Sequence, residues 1–242
     1  MGTITHKAGR IAVSKATDII LKNLDKDREK EILKLVDFME KYMDGEKLDV
    51  DFDGVRQKVS DKDSALNKYI NKALDEIDPN VLKTIVLNLG FEAFLNGTKT
   101  IRKMREKYNC NVPWLILMDP TSACNLHCTG CWAAEYGNKL NLTFDEMDRV
   151  VTQGKELGIY LYMFTGGEPL VRKSDIIKLC EKHNDCAFLS FTNGTLVDEA
   201  FCEDMKRVGN LYLAISLEGF EAVNDLRRGD GVYGKVMHAM DL

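Results

Sequence analysis

Up to about residue 110 the apolar positions recur at intervals of three and four. Ile32, Leu35, Val36, Met39 and Met43 share one helical face, and Leu66, Tyr69, Ile70, Ala73, Leu74 and Ile77 share another. Further helices are expected over Val13–Leu24, over Val81–Leu95 behind the Asp78-Pro79-Asn80 break, and over Thr98–Tyr108 behind Asn96-Gly97. From Pro113 onward the period changes. Trp114–Met118, Ile159–Phe164, Ala187–Phe191 and Leu211–Ile215 are short runs of β-branched, aromatic and aliphatic residues, as buried parallel strands are. Helical patterns over Thr143–Leu157, Ser174–His183 and Val197–Val208 lie between them.

The order β-α-β-α-β-α-β predicts a parallel sheet with right-handed crossovers. The expected fold class is therefore α/β, a partial (β/α) TIM-like barrel over residues 111–242 preceded by an all-helical N-terminal domain over residues 1–110. Only four strands precede a last expected helix, Tyr233–Leu242, so the sequence reads as a longer protein cut short at its C-terminal end. A compact four-stranded open sheet with the helical half on its edge is the alternative.

Charge separates the same two halves. Residues 1–110 carry 21 basic and 19 acidic side chains, and residues 111–242 carry 12 and 19. With a net charge of −5, nothing in the bulk electrostatics asks for nucleic acid. The basic face Lys99, Arg102, Lys103, Arg105 and Lys107 reads as solvated surface. The longest apolar run, Val112–Met118, falls far short of the roughly 20 residues that cross a bilayer. No apolar leader opens the chain, so a cytoplasmic location is expected.

Seven cysteines, an odd number, argue against a disulfide framework and toward thiol chemistry. Cys124, Cys128 and Cys131 fall within eight residues directly behind the first strand, whereas Cys110, Cys180, Cys186 and Cys202 are scattered. Thiolates so close on an irregular loop can converge on one soft metal centre, and three of them leave a four-site centre one ligand short. A structural zinc with His127 as fourth ligand is the alternative.

Two more polar signals follow strand ends, where parallel sheets place their sites. Thr165-Gly166-Gly167-Glu168-Pro169 follows the second strand, with glycines that let the backbone approach a ligand closely, a carboxylate suited to an ammonium group and a proline that fixes the turn. It can equally be a plain βα turn. Ser216-Leu217-Glu218-Gly219 follows the fourth strand, offering a hydroxyl and a carboxylate to a sugar or an amino-acid headgroup, or else a helix N-cap.

The CxxxCxxC triad, the GGEP turn and the SLEG segment, in this order, resemble the radical S-adenosylmethionine (radical SAM) superfamily over about residues 110–242. The resemblance implies a [4Fe-4S] cluster held by Cys124, Cys128 and Cys131, with the fourth iron chelated by S-adenosylmethionine. It further implies that the reduced cluster cleaves S-adenosylmethionine to a 5'-deoxyadenosyl radical, which takes a hydrogen atom from substrate, and that a reductant such as flavodoxin or ferredoxin supplies the electron under anaerobic conditions. Gly166, Gly167, Glu168 and Pro169 would then serve the methionine ammonium, and Ser216 and Glu218 the ribose or methionine carboxylate. Arg228 would pair with that carboxylate, or stand as a surface arginine beside Arg227. Asn193, in a Thr192-Asn193-Gly194 turn behind the third strand, would face cofactor or substrate, although Asn-Gly is also an ordinary turn.

One departure stands out. Most members carry an aromatic residue before the third cysteine, where this chain has Gly130, with Trp132 following. Trp132 either replaces that aromatic against adenine or packs in the core. The substrate stays unidentified, with peptide or protein ranked ahead of a small molecule or lipid. The rival to an oxidoreductase is a non-catalytic iron-sulfur or zinc-binding protein.

Overall fold

The computed structural model describes residues 4–43, 50–133, 137 and 139–242, which form two compact units, Met1–Leu87 and Asn88–Leu242. The first unit is helical: α1 (Ile4–Met43), α2 (Phe52–Ser60), α3 (Ala65–Glu76) and α4 (Pro79–Thr84). The two helices expected along α1 are run together across a kink at Asp27 (φ −158°, ψ 81°). There the Asp27 carboxylate accepts from the Lys30 N–H at 3.2 Å, as an N-cap does, so the second stretch starts afresh. Val13 and Ile20 are buried on α1, and Val59 on α2. Arg56 of α2 pairs with Asp37 and Glu40 of α1, and Lys83 of α4 with Asp18 of α1. No helix among the described residues is long and apolar enough to cross a membrane.

A run of wide π-type turns, Ile85–Gly97, leads into α5 (Thr98–Tyr108). The parallel sheet follows, in the order β1 (Leu115–Met118), β2 (Leu161–Phe164), β3 (Ala187–Thr192), β4 (Leu211–Ile215). Its register aligns Leu117 with Met163, Met163 with Leu189, and Leu189 with Tyr212. The connecting helices are α6 (Phe144–Glu156), α7 (Lys173–Lys182) and α8 (Glu199–Val208). This alternation of parallel strands and helices is the α/β arrangement the pattern called for.

Helix α6 begins with a full capping box, in which Thr143 and Glu146 satisfy each other's backbone N–H. It buries Met147 and Val151 against Tyr162, Phe164 and Phe188 of the sheet. The rings of Phe164 and Phe188 lie 5.7 Å apart. Gly154 is required on α6, because a Cβ there would stand 2.3 Å from the Tyr162 hydroxyl. On the other side of the sheet Leu117 and Phe191 stay exposed. One face of the sheet thus carries the core, and its carboxyl edge is left to loops.

Candidate functional site

The loop that leaves β1 carries all three clustered cysteines and is closed at its base. Ser122 donates its N–H to the Leu140 carbonyl (2.8 Å), Leu142 donates to Pro120 (3.0 Å), and Thr121 bridges Asn141. The turn after β2 is sewn to this loop, with Gly167 N–H donating to Thr121 O (3.0 Å) and Glu168 N–H to Ala123 O (2.8 Å). A Cβ at Gly167 would lie 2.2 Å from the Ala123 carbonyl oxygen, so the glycine lets two backbones meet.

Glu168 is buried at 1% exposure, and its carboxylate joins two strand ends. One oxygen accepts from Leu170 N–H (2.9 Å) and the Thr192 hydroxyl (2.7 Å), and the other from Asn193 N–H (2.7 Å). Phe164 and Ser190 are partners in the parallel register, which brings the turns behind β2 and β3 side by side. Burial nevertheless pushes the carboxyl upward against those hydrogen bonds and the nearby Arg228.

The cysteine loop is also latched to the turn behind β3. Asn193 donates its amide to Asn125 Oδ1 (2.9 Å), Asn125 donates to Thr195 Oγ1 (2.8 Å), and Thr195 donates back to Asn193 Oδ1 (2.7 Å). A third tie comes from α9 (Glu221–Arg228), whose Arg227 carbonyl accepts from Thr129 N–H at 2.8 Å. Three neighbouring segments therefore hold a loop with little regular structure of its own.

The loop and strand ends enclose a cleft of about 220 Å³. Cys124, Cys128, Cys131, Gly167, Glu168, Asn193, Ser216 and Arg228 line it together, along with Trp132 and Thr192. Gly166 faces a neighbouring cavity, and Pro169 is buried at the start of a single 3-10 turn (Pro169–Arg172). Glu218 lies outside the cleft lining, with its two oxygens paired to Arg227 (2.7 Å) and Arg228 (2.5 Å). Those partners, Arg228 first, hold its carboxyl below the ordinary range. His127 is exposed and is not part of the lining.

Helix α10 (Val232–Asp241) follows α9 and ends the described fold. Asp225 of α9 accepts from the N–H groups of Gly231 and Tyr233, both at 2.7 Å, which fixes the junction behind Arg228.

Burial raises the Cys124 thiol; it also raises that of Cys128, where Arg228 opposes the shift. No three His, Cys, Asp or Glu side chains among the described residues meet closely enough to hold a single metal ion. An iron-sulfur cluster presents a separate iron to each thiolate, so the three thiols need not meet at one point to hold it. Arg228 gives the cleft its positive indication, since its Nε is buried and has no hydrogen-bond partner. An unpaired guanidinium N–H on a cleft wall suits an anionic group such as a carboxylate. Three soft donors and one cationic donor thus fit a cluster with a zwitterionic organic ligand.

Asn125, Thr192 and Arg227 belong to this site; the sequence marks Thr192 only as part of the Thr192-Asn193-Gly194 turn and Arg227 only as the neighbour of Arg228, and it assigns Asn125 no role. Their roles depend on which strand ends are neighbours, a fact carried by the sheet register.

A family model described as the Radical SAM superfamily matches residues 118–242. The Fe-coproporphyrin III synthase of Methanosarcina barkeri is 31% identical over 121 residues, 48% of this chain and 30% of that protein. The GTP 3',8-cyclase of Desulforamulus reducens is 31% identical over 153 residues, 57% of this chain and 46% of that protein. The structure of Streptococcus suis SuiB bound to S-adenosylmethionine shares the fold, with 19% identity and a TM-score of 0.50 over 72% of this chain and 41% of that one. The matched region spans less than half the length of each of these relatives.

Proposed function

The chain belongs to the radical SAM superfamily, and from that premise we propose that Cys124, Cys128 and Cys131 hold a [4Fe-4S] cluster with one iron left for S-adenosylmethionine. When bound and reduced, this pair supplies a 5'-deoxyadenosyl radical that abstracts hydrogen from substrate. What carries the reading is the assembly of three thiols, Glu168 and an unpaired Arg228 Nε around one cleft.

The chain's own residues orient the cofactor. In the turn Gly166 to Pro169, Gly167 and Glu168 line the cleft and offer backbone and carboxylate to the methionine ammonium, Gly166 and Pro169 shape the turn from outside it, and Arg228 offers its guanidinium to the carboxylate. Glu218 acts through the arginines, fixing both of them by ion pairs. Ser216 and Asn193, which line the cleft, would face the ribose, with Trp132 as the aromatic neighbour available to adenine. The cofactor chemistry is assigned to residues 111–242, behind the helical domain over residues 1–110. An external one-electron reductant of the flavodoxin or ferredoxin kind, an oxygen-free setting and a cytoplasmic location complete the reading. The relatives' names cite different chemistries and do not identify this chain's substrate.

The test is anaerobic reconstitution with iron and sulfide, reduction by dithionite and assay for 5'-deoxyadenosine from S-adenosylmethionine. The wild-type chain is expected to produce it. Cys128→Ala should fall to the background of the cluster-free protein in both bound iron and product, because two thiolates rarely hold a cubane. An intact reduced cluster that yields no 5'-deoxyadenosine would favour an electron-transfer protein, and iron retained in Cys128→Ala would remove the ligand assignment.

A further inference from the structure

Beside the cysteine cleft lies a larger cavity of about 440 Å³, and the two share Gly167 and Trp132 as a common wall. Its size falls in the range of small-molecule sites, and its surface is predominantly apolar, with Trp132, Ala133, Leu140 and Leu142 as the body. The polar groups are few, and most are already engaged. The Ser122 hydroxyl donates to Gly137 O (2.5 Å) and accepts from Leu140 N–H (3.1 Å), and Asn141 Oδ1 accepts from the Thr121 hydroxyl (2.6 Å).

Asp119 is the exception. It follows β1 at the carboxyl edge of the sheet, lines the cavity, and has no hydrogen-bond or ion-pair partner among the described residues. A Cβ at Gly166 would lie 2.8 Å from Asp119 Cβ, so the glycine lets the second turn pack directly against this acid. Asp119 is exposed at the mouth of the cavity, and the desolvation it does undergo there raises its carboxyl.

We propose that this cavity holds the substrate, and that the substrate presents an apolar body with a protonated amine directed at Asp119. The assignment rests on the cofactor reading above only for the word substrate. The ligand chemistry follows from the cavity itself: an apolar wall with an aromatic face, one unpaired carboxylate, and no competing cation among the described lining residues. The shared wall at Gly167 and Trp132 sets such a ligand next to the cysteine cleft, as hydrogen transfer between the two requires.

The experiment uses the reconstituted protein and ligand-observed fluorine NMR with two probes of like shape and opposite charge, para-fluorophenethylamine and para-fluorophenylpropionate. The amine is expected to bind saturably and the acid roughly tenfold more weakly. Asp119→Asn should weaken the amine by a similar factor. Leu140→Lys, at an exposed position of the lining, should do the same by placing a like charge at the rim. Equal binding of amine and acid, or an amine affinity unchanged in both variants, would overturn the assignment. The 5'-deoxyadenosine assay on the same sample separates the two readings. Cofactor cleavage without amine preference removes the cavity proposal alone, and amine binding without cleavage removes the cofactor proposal alone.

Discussion

Replacing Glu168 tests whether its carboxylate is a structural joint as well as a cofactor ligand. Its two oxygens accept from Leu170 N–H, Thr192 Oγ1 and Asn193 N–H in a position that is 1% exposed. Glu168→Ala strands three buried donors at once. At about 1 to 3 kcal/mol for each buried group left unsatisfied, with some relief from removing a buried charge, the loss is about 4 kcal/mol. Glu168→Gln keeps an oxygen for Leu170 and Thr192 but turns its NH₂ toward the Asn193 N–H, so one contact becomes a donor-donor clash worth about 2 kcal/mol. At about 2 to 4 °C per kcal/mol for a domain of this size, Glu168→Ala should melt about 10 °C lower and Glu168→Gln about half as far. Urea unfolding of the cofactor-free chain followed by circular dichroism measures this without any appeal to activity. An alanine variant within about 1 kcal/mol of wild type would mean that the joint contributes little. In that event a loss of cofactor binding in the same variant would be attributed to direct contact alone.

Two other sites give independent expectations. Asn210 is fully buried, and its Nδ2 lies 3.1, 3.2 and 3.0 Å from the carbonyls of Cys180, His183 and Cys186; Asn210→Ala should therefore cost about 2 to 3 kcal/mol in the same unfolding assay, and a value near zero would refute its bridging role. The second concerns acid. Burial lowers the His183 pKa below its ordinary value, so the folded state binds the proton less readily than the unfolded one; the contribution is whole above about pH 6.5 and drains as pH falls through the lowered value. Asp148, held low by Lys182 first and His183 next, keeps its contribution above about pH 4 and loses it only in stronger acid. Stability should thus decline between pH 7 and 5 more steeply in wild type than in His183→Gln, and equal slopes would show that another group controls this range.

The extent to which the structure is legible in the sequence follows from the range of the interactions involved. Local signals carry the elements: the apolar run Leu211–Ile215 is β4, and the Thr143-Glu146 capping pair opens α6 where the helical period begins. Helix α9 escapes that reading because its apolar residues do not make a buried face. Val223 and Leu226 are exposed, and what the helix contributes is Asn224, Asp225 and two arginines to polar contacts. Helix α2, nine residues with Val59 as its buried member, leaves a similarly thin trace.

The site divides along the same line. Cysteine spacing is a local property of one loop, so the triad is visible before any fold is known. The bonds that hold that loop reach instead from Asn193 to Asn125 and from Arg227 to Thr129, and they exist because parallel pairing brings distant turns to one edge. Gly167, expected to bring the backbone close to a ligand, brings it close to another stretch of the same chain. Its lack of a side chain marks a close approach, and the partner observed there is the Ala123 carbonyl of the cysteine loop. A larger residue at position 167 should accordingly displace the loop that carries the thiols before it obstructs any ligand, which ties the second motif to the first through backbone packing.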